Sequence, residues 1–499
     1  MPKIRLGSGG KLRLAGAKLR ITDTLGAGST AATGVTVTDF AGRKVFQRGV
    51  TRTTVVSGTY TGPASSIKAR FAPVGTLPTA ASPVWSTLVS SPTGGVFSGT
   101  LVVPVGGPWV VQVADGIDAS VAATGSTWVA NGAIIALLGQ SNMQDPFSQS
   151  QDYPIGAKTS LAWIGGVLAR VGNINDAVAP GSIYPGGYTS YTNENAAVDG
   201  DPLVRLCNEL SASIGVPVIV LPYAVGGTQI ASWQPGGGGS NWTTFAAAAA
   251  QAGSDFEGAI WLQGESDAGA VSPASWKTSL ANIHAGCHAI TGRNSSNFSF
   301  GVGILGPCTT SWRAEGLFGP MRIAQLEYVA ANAGASIAAC LHDGVLADGA
   351  VHMTVGSRVQ YFRRFAEWAR RRNAGSPTDM RGPQITGATR AGNVVTVSIA
   401  HNGGSTLIDG AGGAGAALQG FRYFDSASAA VAITASAIIS ATQVRLTLAA
   451  AVAGTLDYAM ANAPYGSSTA ASSVVYDNQA IPSDSVGLPL QPHAAMTVA

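Results

Sequence analysis

Four chemically suggestive groups occur in this chain, each just after a short apolar run: a serine, a glycine pair, an amide with a carboxylate, and a histidine beside an aspartate. The serine lies in Gly139-Gln140-Ser141-Asn142-Met143, directly after Ala133 to Leu138. In an open α/β sheet the loop leaving a strand's carboxyl end faces the ligand crevice, so a serine there can meet a substrate. The same residue also reads as a plain helix N-cap. The glycine pair, Gly226-Gly227, lies in the segment Tyr223 to Trp233. Paired glycines let backbone N–H groups approach a reacting oxygen with no Cβ in the way, which suits an oxyanion hole; an ordinary strand-exit turn has the same sequence. The third segment, Trp261 to Asp267, carries the Gln263 amide and the Glu265 carboxylate, and equally reads as a helix start capped by Ser266 or Asp267. The fourth, Ala347 to Thr354, holds Asp348 and His352, one of only six histidines. With Ser141 as nucleophile and His352 as base, an acid is needed to hold the imidazole tautomer.

Elements that could position these groups are legible around them. PVIVLPY, GAIWLQG, FGVGILG and ASIAACL are short, continuously apolar runs, the pattern of buried parallel strands. Helix candidates alternate with them at Leu203–Ile214, Thr243–Ala252, Ala274–Ile290, Met321–Ala331 and Thr354–Arg372, the last followed by the stop Asn373-Ala374-Gly375. Five strands alternating with helices predict a three-layer α/β/α domain with a parallel sheet over residues 128–375. On either side, residues 31–127 and 376–499 alternate with period two between Gly, Pro, Asn and Asp turns, the signature of two β-sandwiches. Neither flank has a dense cluster of catalytic residue types.

Composition excludes several classes. Lys plus Arg is 29 against Asp plus Glu 26, so no broad basic face is available for nucleic acid. Hydrophobic residues make up 46%, enough for sizeable cores and too many for a disordered chain. No run approaches 18 apolar residues, so no membrane span is expected. The four cysteines, Cys207, Cys287, Cys308 and Cys340, form no CxxC pair or metal-ligand spacing, and read as free buried thiols; a Cys287–Cys308 bridge is not required. No metal or cofactor is implied.

At the quoted motifs the sequence resembles the SGNH/GDSL hydrolases. GQSNM, AVGGTQIASW, WLQGESD and the Asp…HMT segment are most similar to the branch of sialate O-acetylesterase-like and acetylxylan-esterase-like carbohydrate esterases. The resemblance covers residues 130–372 and neither flank. It implies Ser141 as nucleophile and as one oxyanion donor through its own N–H, Gly226 or Gly227 as the second donor, and Gln263 as the third. His352 would be the general base and then the acid. The family usually places an Asp three residues before the His; here Asp348 is four before His352, so Glu265 is a rival acid and Asp343 a weaker third. Gln140, Asn142, Trp233, Tyr184 and Tyr188 are the expected substrate contacts.

The activity implied is a serine O-acetylesterase on a cell-surface or capsular polysaccharide; the rival is a glycan- or receptor-binding module that keeps the fold without cleavage. Tyr153, Trp163, Tyr184, Tyr188 and Tyr191 lie in a long insertion, residues 145–200, and suit stacking on sugar rings or packing of the insertion itself. The first 21 residues hold three copies of Lys-[Ile/Leu]-Arg-[Leu/Ile] and no secretory signal. Residues 1–30 are therefore expected to be a basic docking segment, joining copies in a homo-oligomer or neighbours in a virion. A phage tail fibre or spike would reconcile an extracellular substrate with that N-terminus; release by another route, or a cytoplasmic location, are the alternatives.

Overall fold

The computed structural model describes residues 31–38, 45–73, 84–148, 160–164, 167–170, 202–375, 379–410, 417–466, 473–481 and 487–499. The basic segment 1–30, with Tyr184 and Tyr188, lies outside the described residues. The central domain runs β1 (Val129–Gly139), α1 (Ser141–Ser148), β2 (Ser160–Ile164), β3 (Val167–Arg170), α2 (Pro202–Ile214), β4 (Val218–Ala224), α3 (Ser240–Gln251), β5 (Gly258–Leu262), α4 (Pro273–Thr291), β6 (Ser299–Ile304), α5 (Phe318–Ala331), β7 (Ala335–Cys340) and α6 (Val355–Asn373). The sheet order is β3-β2-β4-β1-β5-β6-β7. All neighbours are parallel except the edge hairpin β2–β3. That hairpin lies inside the insertion that the sequence pattern had not resolved into strands.

The central strands are apolar throughout because both faces of the sheet are covered. Along β1, Ile134, Ala136 and Leu138 point into one core with Trp242 and Phe245 of α3, Leu280 and Ile283 of α4, and Tyr328 of α5. The alternate residues Ile135 and Leu137 join Leu203, Leu206 and Leu210 of α2 and Phe362, Phe365 and Trp368 of α6 on the other face. Each of these Leu, Ile and Phe side chains, fully buried, contributes about 1.5–3 kcal/mol. Helix ends follow local chemistry: Ser272 caps α4 by accepting from Ser275 N, Pro273 begins it, and Gly292 ends it in the left-handed conformation. Thr354 caps α6 by accepting from Ser357 N.

The β-rich flanks are not strung on as separate beads. Before the central domain, the sheet of strands 34–38, 52–61 and 96–103 faces a second sheet across a core that includes Val56, Phe97, Phe71 and Trp109. That second sheet continues into the central one through β1: Val45–Gln47 pairs parallel with Ala130–Gly132, and Gly106–Trp109 antiparallel with Val129–Asn131. The domain boundary expected at residue 128 therefore falls beside a strand, β1, that both sheets share. The junction is also ionic: Glu257 accepts from Arg48 at 3.0 Å and Arg372 at 3.1 Å. Burial alone would raise the Glu257 carboxyl, but the two guanidiniums outweigh it and hold it below the usual range. After α6, two four-stranded antiparallel sheets pack around Val395, Leu446, Tyr423 and Tyr458. All four cysteines are buried, and none of them forms a disulfide.

Candidate active site

The sheet order reverses direction around β1: after it the chain runs to the edge hairpin β2–β3, returns through β4 beside β1, and then crosses to β5 on the other side of β1. Ligand crevices form at such switch points, beyond the strands' carboxyl ends. Gly139 ends β1 at φ +145, and a Cβ there would lie 1.9 Å from Leu262 O, so only glycine fits. Its carbonyl accepts from Val225 N at 3.0 Å, while Gln140 N donates to Leu262 O at 3.1 Å. The nucleophile candidate is thus stitched to the ends of both neighbouring strands. Ser141 follows as the first residue of α1, 9% exposed. Its N–H belongs to the first helical turn, whose amides have no intrahelical acceptor.

His352 approaches from the loop before α6. Its Nδ1 lies 2.5 Å from Asp348 Oδ2. Asp348 Oδ1 in turn accepts from the backbone N–H groups of Ala350 (2.8 Å), Val351 (3.0 Å) and His352 (3.1 Å). Partial burial would raise the Asp348 carboxyl; these N–H groups and the imidazole outweigh it and hold it below the usual carboxylate range. The one extra residue between acid and base is absorbed at Gly349, which turns at φ +64. Among the described residues no hydrogen bond joins Ser141 Oγ to His352.

The two rival acids have hydrogen-bond partners other than the imidazole. Glu265 is 1% exposed, and its Oε1 accepts from Asn142 Nδ2 at 2.8 Å while Oε2 has no partner. Complete burial raises its carboxyl, which favours the neutral form. Asp343 forms a bidentate pair with Arg364 (2.9 and 2.7 Å) and accepts from Tyr476 Oη.

Several expected substrate contacts sit in the interior instead. Trp233 is fully buried, edge-on to Trp261, with its indole N–H donated to Thr228 Oγ1. Asn142 is buried between Glu265 and the His352 loop. Gln140 is 1% exposed and its Oε1 accepts from Ser266 N. Gln263, expected as an oxyanion donor, is 0% exposed; its Nε2 donates to Thr228 O (3.2 Å) and Asp267 Oδ2 (2.5 Å), and its Oε1 accepts from Trp276. Both amide hydrogens are spent on holding the Gly226–Trp233 loop to the end of β5. Gly226 lies beside the serine: a Cβ built on it would be 3.6 Å from Ser141 Cβ. Its N–H donates to Gln144 Oε1 at 2.6 Å, a partner the sequence pattern gave no sign of. Gly227 turns at φ +70 with open space around it. Among the described residues no group of three or more His, Cys, Asp or Glu could hold a metal ion.

Residues 131–370, just under half the chain, match the model of a family described as carbohydrate esterase, sialic acid-specific acetylesterase. No curated protein matches the chain. Among solved structures, a carbohydrate acetylesterase from Xanthomonas citri is similar over 92% of this chain and 99% of its own, with a TM-score of 0.57 and 19% identity. A protein from Arabidopsis thaliana is similar over 48% of this chain and 98% of its own (15% identity, TM-score 0.35). A carbohydrate acetylesterase from Sinorhizobium meliloti covers 49% and 99% (11% identity, TM-score 0.27). The likeness to the Xanthomonas protein is one of fold, and it takes in the β-rich flanks with the central domain. The central α/β domain of this chain matches the sialic acid-specific acetylesterase family of carbohydrate esterases.

Proposed function

We propose that this protein is a serine O-acetylesterase of the SGNH type, acting on an acetylated cell-surface or capsular polysaccharide. The observation that carries the reading is the 2.5 Å Asp348–His352 contact on a loop held against the Ser141 turn. Ser141 Oγ attacks the acetyl carbonyl carbon as its proton passes to His352 Nε2, and Asp348 fixes the tautomer at Nδ1. The oxyanion is received by the N–H of Ser141 and of Gly226, whose amide exchanges Gln144 Oε1 for the substrate oxygen. Collapse expels the sugar oxygen, which takes the proton from His352. Water deprotonated by His352 then attacks the acetyl-serine and releases acetate. The missing Ser141–His352 hydrogen bond closes when substrate enters, as catalytic hydrogen bonds often do. Gln263 supports the wall of the hole rather than donating into it.

The test is acetate release from p-nitrophenyl acetate, O-acetylated sialic acid and acetylated bacterial polysaccharides, with and without a serine-directed organophosphate. A folded protein inert on all of them and unlabelled by the organophosphate would instead be the non-catalytic glycan-binding module. A place on a phage particle or in a homo-oligomer rests on the basic N-terminal segment, with its three Lys-[Ile/Leu]-Arg-[Leu/Ile] copies. Deleting residues 1–22 tests it: assembly is lost and esterase activity kept.

A further inference from the structure

The C-terminal β region has no catalytic residue pattern of its own, yet the segment Ala459–Asn462 reaches from it into the central domain. Asn462 is 0% exposed, and all its polar atoms are engaged. Its Nδ2 donates to Arg313 O (3.1 Å) and Ala314 O (2.9 Å), and its Oδ1 accepts from Phe318 N (3.2 Å). Its backbone N–H donates to Glu315 Oε1 (3.0 Å), and its carbonyl accepts from Cys308 N (3.1 Å) and Arg322 Nη2 (2.9 Å). One residue therefore closes the loop 308–318 from both ends. Arg322, buried on α5, reinforces the joint by donating to Ala459 O and Ala461 O on one side and to Leu305 O and Gly306 O on the other.

The far side of that loop holds the histidine. Thr309 N donates to Ala350 O at 2.8 Å, and Thr309 Oγ1 donates to Gly349 O at 2.7 Å. Gly349 and Ala350 are the turn between Asp348 and His352. The same loop also reaches the Glu265 segment, where Arg313 Nη2 donates to Ser266 O at 3.1 Å. We propose that the C-terminal β region sets the reactive geometry of the esterase, with Asn462 and Thr309 as positioning residues that hold the Asp348–His352 turn in register with Ser141. This rests on the reading of Ser141 and His352 as nucleophile and base. The turn is a surface segment containing a glycine, and left alone it would spread over many conformations. A misplacement of 1 Å at a reacting group costs about 100-fold in rate.

The experiment compares wild type, Asn462→Ala, Thr309→Val and the double variant on p-nitrophenyl acetate at 25 °C, with active sites counted by organophosphate titration. Each single variant is expected to lower kcat per titrated site by about 10- to 100-fold with KM within about threefold. The double variant should be little worse than the worse single, because both act through one turn. A purely structural role would lower Tm and the titratable fraction while each titrated site turned over at the wild-type rate; that result overturns the proposal. Should Asn462→Ala fail to fold, Thr309→Val decides alone: wild-type kcat per titrated site in that variant also overturns it. A wild type that neither turns over nor titrates would overturn the esterase reading itself, a separate outcome.

Discussion

Asn142 Nδ2 donates to Val351 O at 3.1 Å while its Oδ1 accepts from Met353 N at 3.3 Å, so the side chain next to Ser141 grips the backbone on both sides of His352. Glu265 Oε1 steadies the same amide, and Tyr361 Oη donates to Asn142 O. This residue joins the Ser141 turn to the His352 loop across more than two hundred positions of sequence.

Asn142→Ala should therefore cost both stability and turnover. It leaves a buried carbonyl, a buried N–H and the Glu265 carboxyl without partners, a loss of about 1–3 kcal/mol for each group. Denaturant unfolding should show the destabilisation, and kcat of the remaining folded enzyme should fall about 100-fold. A variant of wild-type kcat would mean that the His352 loop holds its place without Asn142.

The carboxyl groups of Asp348 and Glu265 should respond unequally to amide substitution. Asp348→Asn removes the acceptor at His352 Nδ1 and should lower kcat by about 10²–10⁴-fold. Glu265→Gln should cost less than about tenfold, since burial already favours the uncharged carboxyl and a glutamine oxygen can still accept from Asn142. If Glu265→Gln proves the more damaging change at equal stability, the acid of the triad is Glu265.

Acid should loosen the joint between the central domain and the C-terminal β region. His342 is fully buried against Asp343, Arg322 and Arg364, with Nε2 3.0 Å from Leu490 O, and burial lowers its pKa to about 3. A folded-state value below the unfolded one means that the unfolded chain binds the extra proton. The stability contributed by neutral His342 is therefore complete above about pH 6.5 and is lost progressively as pH falls toward 3. His284, lowered to about 4 by burial and by His288, acts in the same direction. Denaturation midpoints measured from pH 7 to 4 should fall less steeply for His342→Gln than for wild type. Parallel slopes would show that His342 is protonated in the folded state.

Much of this was legible in the sequence because the signals were local. Continuous apolar runs marked β1, β4, β5, β6 and β7, and Thr354 and Gly375 bracketed α6 closely. Asp348 and His352 lie four apart in one turn, so their pairing needed no knowledge of the rest of the fold. What sequence spacing does not reveal is the direction in which a side chain leaves the backbone. Trp233 and Gln263 occur in motifs that face the crevice, yet both turn inward, where an edge-on tryptophan and a carboxylate receive them. The hairpin β2–β3 is two runs of five and four residues in a polar insertion, too short to stand out. Asn462 left no trace in sequence at all, since its partners lie between 140 and 154 positions away, in the loop 308–318 and at Arg322.

Whether Ser141 is the nucleophile of an O-acetylesterase is measured most directly by acetate release from wild type and Ser141→Ala under identical conditions. Wild type should release acetate, and the variant should retain the wild-type far-UV spectrum and Tm with kcat lowered by roughly 10⁴-fold or more. A folded Ser141→Ala protein that kept more than about a tenth of the activity would contradict the assignment.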